Sequence, residues 1–302
     1  MDLNICVAGE AGQCVKTIGM LLTGAFAGMG LHVYATQSYM SRIRGGVNSF
    51  DIRIADQPIY SRSQNTDLLI ALTDEARDVY GPEVSPDGIT VCNSETCDLG
   101  VAIDFTEVAK EVVGNKLMAN TVAAGVVFEI LGFSQEELVK YLDKRFSSKG
   151  EEVVSDNVKC AAKGAEVARE EAGKLNSPEP VGAQSNIASA SQACSLSAAV
   201  SGVKVACSYP MTPSTAVLQG LADLASEYGI VVEQAEDEIA AINVVCGSTY
   251  AGVPAVTTTS GGGFALMAEG LSLAGMTENP AFIFLSQRPG PATGLPTRTA
   301  QQ

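Results

Sequence analysis

The first half of the chain alternates between short apolar runs and segments whose apolar residues recur at helical spacing. An apolar run at 3–8 leads into a glycine turn, and a helical pattern from Val15 to Met29 follows and closes on Gly30. Further strands are predicted at 31–36, 48–55, 67–72, 89–93 and 100–105, and helices at 116–131, 134–146 and 151–173. The order of strand, turn and helix predicts an α/β fold that opens as a parallel domain.

The stretch 174–183 holds two prolines, a glycine and few apolar residues, which is typical of a linker. Residues 184–302 are rich in Ala, Ser, Gly and Thr. Helices are predicted there at 186–201, 214–228, 236–250 and 263–276, and strands at 203–208, 230–233, 254–258 and 280–285. We therefore expect two domains, 1–173 and 184–302, joined by the linker.

Composition narrows the class of protein. The chain has 302 residues, of which 46% are hydrophobic and 18% are charged, and this excludes a disordered chain. A net charge of −15 argues against nucleic-acid binding. Neither a signal peptide nor an apolar run of the ~18 residues that span a bilayer is recognised, which favours a cytoplasmic protein without membrane association.

The eight cysteines form no C-x-x-C pair, and the single histidine, His32, has no cysteine beside it. A zinc site or an iron–sulfur cluster within this chain is therefore not expected. Cysteines with apolar neighbours, such as Cys6 and Cys207, are typical of reduced core residues.

Two segments of the first domain are candidates for binding anions. The first turn contains Gly9 and Gly12 but lacks the complete dinucleotide fingerprint, so it is either a tight turn or a turn that presents amides to an anion. Arg42 and Arg44 stand beside a Gly-Gly pair after a predicted strand. They fit a carboxylate, a phosphate or the acidic face of a partner, and an exposed structural loop is the alternative.

In the second domain, two strand ends carry unusual polar segments. Thr212 lies between Pro210 and Pro213, which stiffen the turn. Its hydroxyl is therefore expected to be free near the start of a helix. Ser214 is a possible N-cap of that helix. Glu238 directly precedes an apolar helical stretch and is expected to be partly buried, where it can share a proton with a ligand.

Two further strand ends complete the set of candidates. Ser260, Gly261 and Gly262 follow a threonine-rich strand, and bare glycines admit a flat ring or a backbone unless they form a simple flexible turn. Residues 177–302 contain only three basic residues. One of them, Arg288, follows the last predicted strand and is a natural anchor for a small carboxylate.

Taken together, these segments resemble the 2-oxoacid:ferredoxin oxidoreductase family, in the form that fuses a γ-type domain ahead of an α-type domain. The 2-oxoglutarate type is the best match. The resemblance is carried by 9–13, 37–46, 209–214, 235–238, 258–264, 273–278 and 287–299. It implies a Rossmann-like γ-type domain, followed by an incomplete pyrimidine-binding domain of a thiamine diphosphate enzyme.

The resemblance also implies a function, which is the oxidative decarboxylation of a 2-oxoacid to an acyl-coenzyme A with reduction of ferredoxin. By motif position, Glu238 hydrogen-bonds the aminopyrimidine of thiamine diphosphate, while Thr212 and Arg288 orient the substrate carboxylate. Tyr209, Pro210, Ser260, Gly261 and Gly262 would complete the cofactor site. Magnesium and an iron–sulfur cluster are expected from a separate β subunit, with a heterotetramer as the assembly.

Some positions depart from the family pattern. Cys14 and Pro289 stand where glycine is usual, and the chain stops at Gln302 whereas relatives continue. We therefore expect a truncated or split chain that is inactive without a β subunit. Pyruvate, branched-chain or aryl 2-oxoacids remain alternative substrates, and a non-catalytic assembly subunit is an alternative role.

Overall fold

A computed structural model describes residues 1–10, 13–38, 46–98, 100–182 and 187–287. The chain divides into two compact units, Met1–Ile187 and Ala188–Gln302. No helix within the described residues is long and apolar enough to cross a membrane.

The first unit is built on a six-stranded sheet of order β2-β3-β1-β4-β5-β6. Its strands are β1 (Asp2–Glu10), β2 (His32–Ser38), β3 (Val47–Ala55), β4 (Thr66–Ala71), β5 (Val84–Cys92) and β6 (Val101–Ala102). Its helices are α1 (Val15–Gly28), α2 (Asp74–Tyr80), α3 (Phe105–Val113), α4 (Ala119–Ile130), α5 (Gln135–Phe146) and α6 (Glu151–Val167).

This sheet is mixed, so the expectation of a parallel opening was wrong in part. Strands β1, β4, β5 and β6 are parallel, but β3 pairs antiparallel with both β1 and β2. The physical reason is the short connection 39–46 between β2 and β3, because a parallel return needs a crossover of a dozen or more residues.

Helix α3 was not predicted, and the strand predicted at 100–105 is the two-residue β6. Asp104 caps α3 by accepting hydrogen bonds from the amides of Thr106 and Glu107, both at 2.9 Å. The sequence carries a helical signal here, since the residues of α3 that pack on the core recur at helical spacing: Phe105, Val108, Ala109, Val112 and Val113.

The main core of the first unit lies between one face of the sheet and the helices. Helix α4 is the centre of this layer, since eight consecutive residues from Thr121 to Phe128 are buried. The rings of Phe26 and Phe128 stack with centroids 5.4 Å apart. Helices α4 and α6 cross at two glycines, because a β-carbon on Gly125 would lie 2.0 Å from the carbonyl oxygen of Ala161, and one on Gly164 would lie 2.2 Å from that of Val122.

The segment predicted as a linker packs on the first unit as far as Gly182. Leu175 is buried there, and the Ser177 hydroxyl donates to the carbonyl of Leu131 at 2.7 Å. The Gly182 amide donates to the carbonyl of Gly30 at 3.2 Å. Residues 183–186 lie outside the described residues.

The second unit contains a four-stranded sheet of order β10-β9-β7-β8 in which all pairs are parallel. Its strands are β7 (Val205–Ser208), β8 (Val231–Gln234), β9 (Ala255–Thr259) and β10 (Phe282–Leu285). Its helices are α7 (Ala190–Val200), α8 (Thr215–Tyr228), α9 (Glu238–Tyr250), α10 (Gly261–Leu266) and α11 (Ala268–Met276). The single helix predicted at 263–276 is thus two helices that meet at Met267.

The cysteines only partly follow the expectation of reduced core residues. Cys6, Cys160, Cys207 and Cys246 are free and buried, and burial raises the pKa of the Cys160 thiol to about 11. Cys92 and Cys97, however, form a disulfide. The turn after β5 brings their Cα atoms to 5.9 Å, within the range that a disulfide spans.

The crossing of α4 and α6 generates a stability prediction. Replacing Gly125→Ala should destabilise the protein by about 1–3 kcal/mol, because the new methyl meets backbone that cannot rotate away. The control is Gly28→Ala, where a β-carbon meets nothing within 4 Å. Urea unfolding measures both variants, and equal midpoints for Gly125→Ala and wild type would contradict this account of the core.

Candidate functional site

The candidate site lies at the carboxyl ends of the parallel strands of the second unit, where ligands bind in open α/β sheets. The strands end at Ser208, Gln234, Thr259 and Leu285. Hydrogen bonds continue the pairing past these ends, since the Ala235 amide donates to the carbonyl of Ser208 at 3.0 Å and the Ser286 amide to that of Thr259 at 2.9 Å. The segments that leave the strands therefore start from one edge.

Glu238 is the first residue of α9 and is 3% exposed, so it is buried more completely than the sequence predicted. Its neighbour Asp237 caps the helix by accepting a hydrogen bond from the Ala240 amide at 2.7 Å. The Glu238 Oε1 atom is buried and has no hydrogen-bond partner. A buried carboxylate oxygen without a partner is costly, and such atoms in folded proteins point to a missing ligand or solvent molecule.

The segment after β9 contributes a second unpartnered group. The Ser260 side chain is 1% exposed, and its Oγ atom has no hydrogen-bond partner. Gly261 and Gly262 follow it at the start of α10 and are partly buried. The site therefore combines an acceptor, a hydroxyl and bare backbone, which suits the polar edge of a flat ring.

Gly263 joins these two parts of the site. A β-carbon at Gly263 would lie 2.0 Å from Thr259 Oγ1 and 2.7 Å from Glu238 Oε1. Helix α10 thus contacts the Glu238 side chain through a position that has no side chain of its own. Gly263 belongs to the motif 258–264, but the sequence analysis assigned a site role only to the two glycines before it.

The segment after β7 is more open. Thr212 and Tyr209 are exposed, and the Thr212–Pro213 peptide bond is cis. Ser214 occupies the N-cap position of α8, but it makes no side-chain capping bond, and its hydroxyl donates to the carbonyl of Met211 at 2.7 Å. The exposure of Thr212 agrees with the expected free hydroxyl.

Ser208 and Thr258 tie two strand ends together, and the sequence analysis missed both. The Ser208 Oγ atom accepts hydrogen bonds from the Thr258 amide at 2.8 Å and from the Thr258 hydroxyl at 3.1 Å. Both residues are buried. Serine at the end of a short apolar strand was the available signal, but it does not reveal the partner 50 residues away.

Arg288 lies outside the described residues, and so do Gly12, Arg42 and Arg44. Gln287, which immediately precedes Arg288, is described and lies two residues beyond β10. The structure therefore brings together Glu238, Ser260 and Gly263, while the predicted roles of Thr212 and Arg288 stay predictions.

Contacts within the first unit explain why the first turn has a glycine at position 9. A β-carbon on Gly9 would lie 2.8 Å from both Leu72 Cβ and Gln13 Oε1. Gln13 Oε1 already accepts the Glu10 amide at 2.9 Å, so this amide is not available to an anion. Cys14 has a left-handed φ of 61°, the conformation that favours the glycine usual there in the family.

Within the described residues, no group of three or more His, Cys, Asp or Glu could hold a metal ion. The unpartnered oxygens of Glu238 and Ser260 fit a neutral heterocycle that both accepts and donates hydrogen bonds.

These features define a two-unit α/β protein whose second unit holds a buried carboxylate at the edge of a parallel sheet. The family model for pyruvate ferredoxin/flavodoxin oxidoreductase matches residues 4–167, which is more than half of the chain. A second model, pyruvate flavodoxin/ferredoxin oxidoreductase, thiamine diP-bdg, matches residues 197–302. The chain belongs to the pyruvate ferredoxin/flavodoxin oxidoreductase family, and the resemblance drawn from its motifs is confirmed.

Individual relatives agree with this assignment. The chain is 28% identical to the 2-oxoacid:ferredoxin oxidoreductase subunit alpha of Saccharolobus solfataricus, over 100% of this chain and 57% of the relative. It is 50% identical to the 2-oxoglutarate synthase subunit KorA of Archaeoglobus fulgidus, over 31% of this chain and 27% of the relative.

A solved structure covers nearly the whole chain. The 2-oxoglutarate:ferredoxin oxidoreductase of Magnetococcus marinus, solved with 2-oxoglutarate, coenzyme A and succinyl-CoA bound, has a TM-score of 0.82 at 32% identity. The match covers 98% of this chain and 54% of that one. The chain spans about half the length of the relatives it matches.

The link between β7 and β9 generates a prediction. Replacing Ser208→Ala should destabilise the protein by about 1–3 kcal/mol, because the buried Thr258 amide loses its acceptor. Ser248→Ala is the control, since that hydroxyl donates only to a carbonyl of its own helix and its loss should cost less than about 0.5 kcal/mol. Thermal unfolding compares the two variants, and equal effects would contradict the special role of Ser208.

Proposed function

We propose that this chain is a subunit of a cytoplasmic, thiamine diphosphate-dependent 2-oxoacid:ferredoxin oxidoreductase. The complex would decarboxylate a 2-oxoacid oxidatively, pass the electrons to ferredoxin and transfer the acyl group to coenzyme A. This chain would supply the half of the active site that holds the aminopyrimidine ring.

One observation carries the proposal, namely the buried and unpartnered Glu238 Oε1 at the carboxyl edge of a parallel sheet. Folding leaves this oxygen without water and without a protein donor, which is unfavourable unless a ligand provides a donor. A protonated ring nitrogen would provide it. The Ser260 hydroxyl, also unpartnered, would bind a second polar atom of the ring.

When bound, thiamine diphosphate supplies the electron sink for cleavage of the bond to the carboxylate carbon. Glu238 would hold or share a proton at Oε1 with the ring, and burial keeps water from competing for it. Tyr209, Pro210, Gly261 and Gly262 would line the rest of the ring site.

For the substrate, we propose 2-oxoglutarate, with Thr212 and Arg288 orienting its carboxylate. Support comes from the relatives, since the A. fulgidus protein is a 2-oxoglutarate synthase subunit and the M. marinus structure contains 2-oxoglutarate and coenzyme A. Pyruvate, branched-chain and aryl 2-oxoacids are the alternatives to be compared in the assays.

The partner would be a β subunit that provides the magnesium–diphosphate site and an iron–sulfur cluster, in a heterotetramer that reduces ferredoxin. Support for assembly comes from apolar side chains that α9 and α11 leave exposed. These are Ile239, Val244, Tyr250, Leu271, Leu273 and Met276. Large exposed apolar residues contribute to protein–protein interfaces where they lie together on a surface.

The role of Glu238 yields a catalytic prediction. In the assembled complex, Glu238→Gln should lower 2-oxoacid-dependent reduction of a ferredoxin or a viologen dye by about 10²-fold or more, because an amide cannot take up the ring proton. Glu236→Gln, two residues earlier and exposed, is the matched control and should retain activity. Undiminished turnover in Glu238→Gln would favour the non-catalytic assembly role instead.

The division of the site between subunits yields a second prediction. The purified chain supplied with thiamine diphosphate, magnesium, coenzyme A and 2-oxoglutarate should reduce no dye, since the diphosphate end and the electron carrier would come from the β subunit. Adding that subunit should restore reduction. Turnover by the chain alone would refute the proposed division of labour.

A further inference from the structure

We infer that Gly263 is a positioning residue, whose missing side chain sets where the Glu238 carboxylate lies. The inference rests on the proposed function, because the carboxylate matters as the group that meets the aminopyrimidine ring. It assigns a role to a residue that touches no ligand itself and acts only through Glu238.

The contacts at Gly263 involve the functional group directly. A β-carbon there would lie 2.7 Å from Glu238 Oε1 and 2.8 Å from Glu238 Cγ, with Thr259 Oγ1 at 2.0 Å. All three distances are shorter than real contacts of a β-carbon, so a side chain at this position must displace one or both neighbours. The atom displaced at the end of Glu238 is the same oxygen that has no hydrogen-bond partner.

The surroundings determine which neighbour moves. Thr259 is fully buried and Met267, at the end of α10, is fully buried as well. Backbone hydrogen bonds hold α10 in place, from the Phe264 amide to the Ser260 carbonyl at 2.9 Å and from the Met267 amide to the Gly263 carbonyl at 3.2 Å. The end of the Glu238 side chain is therefore the part most able to move, and its movement would take Oε1 out of place.

Two other glycines of the second unit serve as controls. They distinguish displacement of the Glu238 carboxylate from the general effect of adding a methyl group to a packed helix. A β-carbon on Gly270 would lie 2.5 Å from Ile242 Cγ2, so Gly270→Ala crowds the apolar side of α9 without meeting Glu238. Gly247, in the same helix as Glu238, has nothing within 4 Å of the added carbon. Gly263→Ala, Gly270→Ala and Gly247→Ala thus form a matched series.

To test the inference, the full chain and each variant are titrated with thiamine, and binding is detected by ligand-observed NMR. The thermal unfolding of each variant is measured in parallel. Gly263→Ala should weaken thiamine binding about tenfold or more, the change expected when a hydrogen bond to a charged group is lost. Gly270→Ala should lower the unfolding temperature but keep wild-type affinity, and Gly247→Ala should change neither. Wild-type affinity in a folded Gly263→Ala would overturn the inference, as would an equal loss in Gly270→Ala.

A second variant and a structural measurement keep the test decisive. If Gly263→Ala does not fold, the double variant Gly263→Ala/Thr259→Ala removes the hydroxyl nearest to the new methyl group. This double variant should fold and still bind thiamine weakly. Wild-type affinity for thiamine in the double variant would overturn the inference. Crystal structures of the wild type and the folded variant should show Glu238 Oε1 displaced, and an unmoved carboxylate would again overturn it. Equal thiamine binding by wild type and Glu238→Gln would contradict the proposed function, and the crystal structures would then decide the inference separately.

Discussion

The second unit depends on one constraint, which is that a carboxylate is buried at the edge of a sheet with no protein donor for one of its oxygens. Desolvation of a charged or polar group is costly, so the surrounding structure must make this position unavoidable. It does so by placing Glu238 at the first turn of α9 and by packing α10 against it at Gly263. A ligand that donates a hydrogen bond to this oxygen would offset the unfavourable free energy of its burial.

The parallel sheet makes this arrangement possible. Parallel strands deliver all their outgoing segments to one edge, so Glu238 after β8 and Ser260 after β9 start from the same edge although they are far apart in the chain. The Ser208–Thr258 link then holds β7 against β9 where the ladder of the sheet ends. Preorganisation of this kind fixes the polar atoms before a ligand arrives.

The first unit is held together differently. Glycines at the crossing of α4 and α6 let the two helix backbones come into direct contact. Its sheet contains the antiparallel strand β3 because the connection between β2 and β3 is short. In its first turn, Gly9 leaves no room for a β-carbon beside Leu72, and Gln13 accepts the amide of Glu10. Packing therefore accounts for Gly9, while Gly12 lies outside the described residues.

Much of this could be read from the chain itself. Apolar periodicity located most helices and strands, because burial on one face imposes a period that residue order alone reveals. The prediction overlooked α3 although its apolar residues have helical spacing, and it missed the break between α10 and α11 because α10 has only six residues. The motif around Glu238 indicated the family, which is confirmed, and singled out Glu238, which the structure shows to be buried. The sequence could not show that Oε1 lacks a partner, that β3 runs antiparallel, that Cys92 meets Cys97, or that Gly263 contacts the carboxylate. The unpartnered Oε1 and the contact of Gly263 depend on distances between segments remote in the chain, which only tertiary packing determines. The antiparallel β3 and the Cys92–Cys97 disulfide instead arise across short connections, where the residue pattern alone does not give the direction of a strand or the pairing of two thiols.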